Sequence, residues 1–149
     1  MNQNQYTQKS MEAIQRAQAL ATEYGQQTLE QSHLLYALME QQEGLIPQLL
    51  IKMNKDAGQM AAAAMQEIEK LPRVHGQSRE QGKTYVSQEM DRALQQAAKA
   101  AERMRDEYLS VEHLFLGLMA APDRNIKALF SRFNIKEDGF LQALSEVRG

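Results

Sequence analysis

The sequence contains no cysteine and no tryptophan, and only three of its 149 residues are proline. The absence of cysteine excludes disulfides and thiol catalysis, and it is typical of proteins from a reducing compartment. No apolar run approaches the roughly 20 residues that a helix needs to cross a bilayer. The polar, glutamine-rich start at Met1–Gln8 is unlike a signal peptide. We therefore expect a cytoplasmic location and no membrane partner.

Neither sign of charge dominates the chain. Lysine and arginine number 17, aspartate and glutamate number 19, and the formal net charge is −2. Such a balance creates no field that would attract nucleic acid or anionic lipid. Hydrophobic residues make up 43% and charged residues 24%, which is ordinary for a globular protein able to bury its own core. We therefore expect a globular domain that does not bind nucleic acid.

The two halves of the chain match each other at a shift of 80 residues, the spacing between His33 and His113. Identical pairs in this register include Ala13 with Ala93, Ala17 with Ala97, Leu29 with Leu109, Leu34 with Leu114, Leu49 with Leu129 and Asn54 with Asn134. Chance identity rarely keeps one register across two half-chains, so the pattern indicates a duplicated unit. We assign the first copy to about residues 6–71 and the second to about 87–149.

Apolar residues at three- and four-residue spacing predict four helices in each copy. Thr7 and Ser87 are the expected N-caps of the first helix in each copy, because their hydroxyls can accept an unpaired backbone N–H. In copy one, the second helix is predicted over about 33–39, a short third helix near Pro47 and the fourth over about 56–70. In copy two, the second helix is predicted over about 112–119, a short third helix is capped by Asp123 and the fourth is predicted over about 138–147.

The ends of the first helices are expected to differ. Gly25 can end the helix of copy one in the left-handed conformation, whereas copy two has Arg105 at that position. Residues 72–86 contain proline, two glycines and polar residues without a period, which is typical of a linker. No alternating run predicts a strand of any length. The predicted fold is all-α, with two tandem four-helix repeats in one globular domain, 1–149, of pseudo-twofold symmetry.

The segment from Gly76 to Gly82-Lys83-Thr84 is similar to a phosphate-binding loop. Such a loop needs four residues between its first glycine and Gly-Lys-Thr, and it follows a buried strand. Here five residues intervene, and no strand is predicted before them. We therefore interpret the segment as linker and expect no cofactor in this domain, with a nucleotide-binding enzyme as the less favoured hypothesis.

The histidines and acidic residues do not form a recognisable catalytic or metal-binding set. His33 and His113 lack a second ligand at four-residue spacing, so we interpret them as packed histidines that hydrogen-bond locally at helix starts. Asp106, Glu107 and Glu112 cluster at a helix entrance, where the dipole favours acids. Without a nucleophile and base, the sequence predicts a non-catalytic binding domain.

The duplicated unit resembles the double Clp N-terminal motif over essentially the whole chain. The resemblance rests on Thr7 or Ser87 at the start of each copy and on the pattern Leu-(x)3-His-Leu, which occurs at 29–34 and 109–114. ClpB-type members of the family are similar in particular to Leu71–Gly76, the long linker that follows, Asp106–Leu114 and Glu146–Gly149.

The resemblance implies the N-terminal domain of a hexameric AAA+ disaggregase. In that family this domain binds exposed hydrophobic segments of unfolded or aggregated proteins and helps deliver them to the ATPase ring. ATP and magnesium are then expected only in the absent ATPase modules, and a DnaK-type chaperone system is an indirect partner. The alternative is the adaptor-docking N-domain of a ClpC- or ClpA-type unfoldase, whose main partner would be one folded adaptor.

The resemblance also implies which residues bind substrate. Polar positions map onto Thr7, Asp106 and Glu112, and an apolar groove lining maps onto Leu94 and the position of His113. Relatives often have leucine at that last position, so the histidine makes the groove more polar. The competing interpretation is architectural: Thr7 then only caps a helix, and Glu112 only lies on a helix dipole.

Overall fold

A computed structural model describes residues 5–74 and 84–148 of the chain. The helices are α1 Gln8–Glu23, α2 Gln31–Glu40, α3 Leu45–Lys52 and α4 Ala57–Lys70 in copy one, and α5 Gln88–Arg103, α6 Val111–Ala120, α7 Arg124–Arg132 and α8 Glu137–Arg148 in copy two. Two-residue strands, β1 Thr28–Leu29 and β2 Tyr85–Val86, complete the described part. The all-α class is confirmed. Within these residues, no helix combines the length and apolarity needed to cross a bilayer.

The predicted helix caps form the expected hydrogen bonds. The Ser10 N–H donates to the Thr7 hydroxyl over 3.2 Å, and the Met90 N–H donates to the Ser87 hydroxyl over 2.9 Å. Asp123 caps α7 in the same way. Each cap satisfies an N–H that the helix itself leaves unpaired, which is worth about 1 kcal/mol. His75 and most of the segment from Gly76 to Thr84 lie outside the described residues.

The end of α5 corrects the sequence-based expectation. Arg105 adopts a left-handed backbone with φ 57°, close to φ 65° at Gly25. The Arg105 N–H donates to Glu102 O and the Asp106 N–H donates to Ala101 O, as in copy one. Both helices therefore end alike. A side chain in this conformation costs about 1 kcal/mol, and the hydrogen bonds of the helix end compensate for that cost.

The end of the predicted linker also differs from expectation, because Tyr85–Val86 forms β2 and pairs in parallel with β1. The Ser87 N–H donates to Leu29 O over 3.2 Å, and in the other copy the Thr7 N–H donates to Leu109 O over 3.0 Å. The segment that leads into each copy thus pairs with a loop of the other copy. The two copies are interlocked through their main chains.

A continuous cluster of buried apolar side chains runs through both copies. Helices α2 and α6 contribute its fully buried centre, which includes Leu34, Leu35, Leu38, Leu114, Phe115 and Leu118. The ring of Phe115 stacks on that of Phe140 at a centroid distance of 4.7 Å. Because each buried leucine or phenylalanine contributes about 2 kcal/mol, this shared core stabilises the arrangement of both copies together.

Helix α6 packs tightly against the backbone of α5 at Gly117. A β-carbon at this position would lie 2.2 Å from Ala93 O and 2.9 Å from Ala97 N, both of which are backbone atoms. Copy one has the fully buried Ala37 at the equivalent position. The absence of a side chain at Gly117 therefore sets the spacing between α5 and α6.

We expect Gly117→Ala to lower the free energy of unfolding by about 2 kcal/mol or more, because rigid backbone cannot move away from the new methyl group. The loss should appear even though alanine favours a helix over glycine by about 1 kcal/mol. Urea denaturation followed by circular dichroism measures it. Gly58→Ala is the control, since its β-carbon would meet only Asp56 Oδ1 at 3.5 Å. Equal midpoints for the two variants would contradict the prediction.

Candidate functional site

The loop between α5 and α6, residues 104–110, brings most of the predicted site residues together. Asp106 lies within this α5–α6 loop, and Glu112 and His113 lie in the first turn of α6. Thr7 lies beside the loop, because its N–H donates to Leu109 O. The backbone N–H of Leu109 in turn donates to Gln5 O over 2.7 Å. Thr7, Asp106 and Glu112 therefore all lie in or next to the α5–α6 loop.

Arg148 connects the two acidic residues of this region. Its guanidinium lies 3.0 Å from Asp106 Oδ2 and 2.6 Å from Glu112 Oε2. The Glu112 side chain is only 7% exposed, so the arginine compensates a nearly buried carboxylate. Sequence reasoning did not single out Arg148 as a site residue. Its partner Glu112 lies 36 positions away, and no sequence spacing signals such a contact.

The electrostatics of this cluster favour ionised groups. Partial burial raises the pKa of Asp106, but hydrogen bonds from His113 and Arg148 outweigh it, so the pKa lies below its ordinary value. Partial burial lowers the pKa of Arg148, and the hydrogen bonds to Glu112 and Asp106 reverse that effect and raise it. Arg148 therefore offsets one of the two negative charges of Asp106 and Glu112.

The His113 ring holds the Asp106 side chain in position through a hydrogen bond. Its Nδ1 accepts the Ser110 N–H over 2.8 Å, so a neutral ring carries its proton on Nε2 and donates to Asp106 Oδ2 over 2.7 Å. The interpretation of His113 as a locally hydrogen-bonded histidine at a helix start is confirmed. The ring is completely buried, which corrects its expected place in a groove lining. The Asp106 side chain is 26% exposed, whereas the His113 side chain is not exposed.

His33 makes the same arrangement in copy one with an uncharged partner. Its Nδ1 accepts the Glu30 N–H over 3.0 Å, and its Nε2 lies 2.6 Å from Gln26 Oε1. Gln26 is the counterpart of Asp106 in the repeat, so copy two has a carboxylate where copy one has an amide. The histidine Nε2 therefore faces a carboxylate in copy two and an amide in copy one.

Leu94 lies apart from the charged cluster. It is half-buried on α5 and packs against the core. Ten residues separate it from Met104, the C-cap of that helix, which corresponds to about 15 Å along the axis. Leu94 and the charged cluster therefore do not form one compact site.

Two neighbouring cavities lie elsewhere, near α8. One, of about 480 Å³, is lined by residues such as Phe130 and Ile135, and the other, of about 400 Å³, lies between Met53 and Gln142. Neither is lined by a predicted site residue. Within residues 5–74 and 84–148, no group of three histidine or acidic side chains is arranged as metal ligands would be. The predicted site residues therefore lie outside these two cavities.

Comparison with known proteins gives the family. The model of the Clp repeat (R) N-terminal domain matches residues 5–133. The chain belongs to this family. A duplicated four-helix unit with Leu-(x)3-His-Leu at the start of the second helix of each copy is therefore the Clp N-terminal repeat, as the sequence indicated.

Individual relatives narrow the resemblance to the ClpB type. Chaperone protein ClpB of Bacillus cereus (strain ATCC 10987 / NRS 248) is 40% identical over 149 residues, covering 100% of this chain and 17% of that protein. The chain thus spans about one sixth of the length of such curated relatives. The predicted recognition of a ClpB-type Clp N-terminal domain is confirmed.

Solved structures show the same fold. The Hsp104 N-terminal domain from Candida albicans superposes with a TM-score of 0.81 at 22% identity, covering 97% of this chain and 91% of that one. A complex of the ClpV N-domain with a VipB peptide superposes with a TM-score of 0.70 at 17% identity, covering 95% and 88%. At these identities the likeness concerns the fold of the Clp N-terminal domain.

We expect His33 of this Clp N-terminal domain to make stability depend on pH. Burial lowers its pKa from 6.5 to about 4, so the unfolded chain takes up a proton between these values while the folded chain does not. The neutral His33 ring therefore contributes up to about 3 kcal/mol to the free energy of unfolding. This contribution is fully present above pH 6.5 and is lost as the pH falls towards 4.

Urea denaturation at several pH values tests this prediction against His33→Gln, which cannot titrate. The raised pKa values of Glu30 and Asp123, both due first to burial, are common to the two proteins and cancel in the comparison. The difference in unfolding free energy between the two proteins should shrink from pH 7 to pH 4. A constant difference would show that His33 does not titrate in this window.

Proposed function

We propose that this domain is the substrate-binding N-terminal domain of an ATP-dependent, ClpB-type disaggregase. It binds exposed hydrophobic segments of unfolded or aggregated proteins and passes them to an ATPase ring in the rest of a longer chain. The observation that carries this proposal is the 40% identity to ClpB chaperones over all 149 residues. ATP and magnesium belong to the ATPase modules, and a DnaK-type system acts with the whole assembly.

The surface of the α5–α6 loop supports binding through apolar contacts. Tyr108 is 51% exposed at the centre of the loop, and tyrosine is a residue that anchors many protein interfaces. The neighbouring charges of Asp106, Glu112 and Arg148 are paired with each other. A client therefore gains chiefly from buried apolar area, at about 25 cal/mol per Å². Single contacts are weak, but several domains of one ring that contact the same client bind it more tightly than one domain does.

The predicted residues then have distinct roles. Thr7 and Asp106 border the loop surface, and Glu112 acts through Arg148 because its own side chain is nearly buried. Leu94 offers a second apolar contact on α5. His113 is a positioning residue for Asp106, since its ring has no exposed surface.

The alternative is an adaptor-docking N-domain of a ClpC- or ClpA-type unfoldase. The structure of the ClpV N-domain with a VipB peptide shows that a domain of this fold accepts a defined peptide. Sub-micromolar affinity for one folded partner, without affinity for unfolded chains, would favour this alternative over client binding.

We expect the domain to bind a permanently unfolded, carboxymethylated model protein with micromolar or weaker affinity. Because the mechanism is apolar, Kd should change by less than about threefold between 50 and 500 mM sodium chloride. Fluorescence anisotropy measures it, with the folded form of the same protein as the control. A steep loss of binding at moderate salt would contradict an apolar mechanism.

Thr7→Ala separates a functional role from simple capping. Both Thr7→Ala and Ser87→Ala remove an equivalent cap, so each should lower the unfolding free energy by about 1 kcal/mol. In the full-length ATPase, only Thr7→Ala should also reduce reactivation of an aggregated substrate, because only Thr7 borders the α5–α6 loop. Equal activities of the two variants would show that Thr7 acts only as a helix N-cap.

A further inference from the structure

Neutral groups anchor the last turn of α4 in copy one. The Ile68 side chain is fully buried, and its backbone carbonyl accepts a hydrogen bond from Gln26 Nε2 over 2.7 Å. The carbonyls in the last turn of a helix lack partners within the helix, so Gln26 supplies one from outside. The oxygen of the same amide contacts His33 Nε2 at 2.6 Å. Gln26 therefore connects the end of α4 to the start of α2 without using any charge.

Charged groups occupy the same positions of the repeat in copy two. At the shift of 80 residues, three positions that are neutral in copy one are charged in copy two: Gln26 becomes Asp106, Ser32 becomes Glu112 and Ile68 becomes Arg148. The histidine between them is unchanged, and its Nε2 contacts Gln26 or Asp106 in the same way. Asp106 and Glu112 bind the Arg148 guanidinium. The end of α8 is therefore held by ion pairs at the place where the end of α4 is held by neutral contacts.

The other inward positions of the two helices remain apolar. Met60, Ala63 and Ala64 of α4 correspond to Phe140, Ala143 and Leu144 of α8, and all six side chains are buried. Among the inward positions, the change of chemistry is thus confined to the last turn. Loss of the Arg148 cation would leave the nearly buried Glu112 carboxylate without its partner, which is costly. A neutral residue at position 148 is therefore compatible with the copy-one residues at 106 and 112, but not with two carboxylates.

We propose that Asp106, Glu112 and Arg148 form an ionic anchor for the last turn of α8, in place of the neutral anchor of α4. Asp106 and Glu112 are then positioning residues that act on α8 through the Arg148 guanidinium, while His113 holds Asp106 from the other side. Opening of the ionic anchor releases residues 145–148 and leaves the buried part of α8 in place. This inference concerns the conformation of α8 and does not depend on client binding.

Amide hydrogen exchange, followed by NMR and corrected for intrinsic rates, tests whether the ionic anchor holds the last turn. In Arg148→Ile, exchange at residues 145–148 should accelerate at least about fivefold, because the ion pairs of this turn are lost. Exchange at residues 141–144 should change less than about twofold, since buried side chains hold that part. Glu107→Gln, which alters an exposed carboxylate of the same loop, is the matched control and should leave α8 unchanged.

Two results of this experiment would overturn the inference. Unchanged exchange at residues 145–148 in Arg148→Ile would show that the ion pairs do not hold the last turn. Equal acceleration throughout α8 would show that they contribute to the stability of the whole helix and that no local opening exists.

A triple variant tests whether the two anchors are equivalent. Asp106→Gln, Glu112→Ser and Arg148→Ile together give copy two the residues of copy one at all three positions. Exchange at residues 145–148 should return to within about twofold of the unchanged protein, because the three substitutions are coupled and no carboxylate is left unpaired. A triple variant that exchanges as fast as Arg148→Ile alone would contradict the equivalence and overturn the inference.

A double-mutant cycle with smaller changes tests whether Asp106 acts through Arg148. Asp106→Asn and Arg148→Gln should each accelerate exchange at residues 145–148. The double variant should exchange no more than about twofold faster than Arg148→Gln, since the second substitution removes an interaction that is already lost. Effects that multiply in the double variant would show that the two residues act independently and that Asp106 is not a positioning residue for α8.

Discussion

The exchange of main-chain hydrogen bonds between the two copies is the constraint on which the rest of the structure depends. The residues before α1 pair with Leu109 of copy two, and the residues before α5 pair with Leu29 of copy one. These bonds place the caps Thr7 and Ser87 against the other copy's loop. Because a buried backbone group must be paired, neither copy can move away without leaving such groups unsatisfied. The surface at the α5–α6 loop is therefore built by both copies.

Within this symmetric frame, the side chains of the copies have diverged while the backbone has not. In both copies the Nε2 of the histidine contacts the same position of the repeat. This position is a neutral amide in copy one, Gln26, and a carboxylate in copy two, Asp106. That carboxylate attracts Arg148, which in turn compensates the nearly buried Glu112. In copy one the backbone N–H of Val74, in the chain that follows α4, donates to Gly25 O. Tyr108 of copy two is 51% exposed, whereas its counterpart Thr28 in copy one is half-buried.

Much of the fold was predictable because its signals are local. Capping hydroxyls, apolar spacing and the constant shift of 80 residues indicated the helices and the duplication, and the caps at Thr7, Ser87 and Asp123 were confirmed. Arg105 shows where local reasoning fails. A preference of about 1 kcal/mol against the left-handed backbone was overruled by the hydrogen bonds of a whole helix end. The pairing of Tyr85–Val86 was missed because two residues are too few to show an alternating pattern.

The sequence by itself determined the class, the repeat and the helix starts of this Clp N-terminal domain, because each depends on residues within a few positions or on a comparison of the chain with itself. Only the tertiary structure decided which side chains meet. It buried the His113 ring and brought Arg148 to Asp106 and Glu112. These outcomes depend on the packing of helices far apart in the chain, where burial and pairing of charges outweigh any preference that a single residue carries.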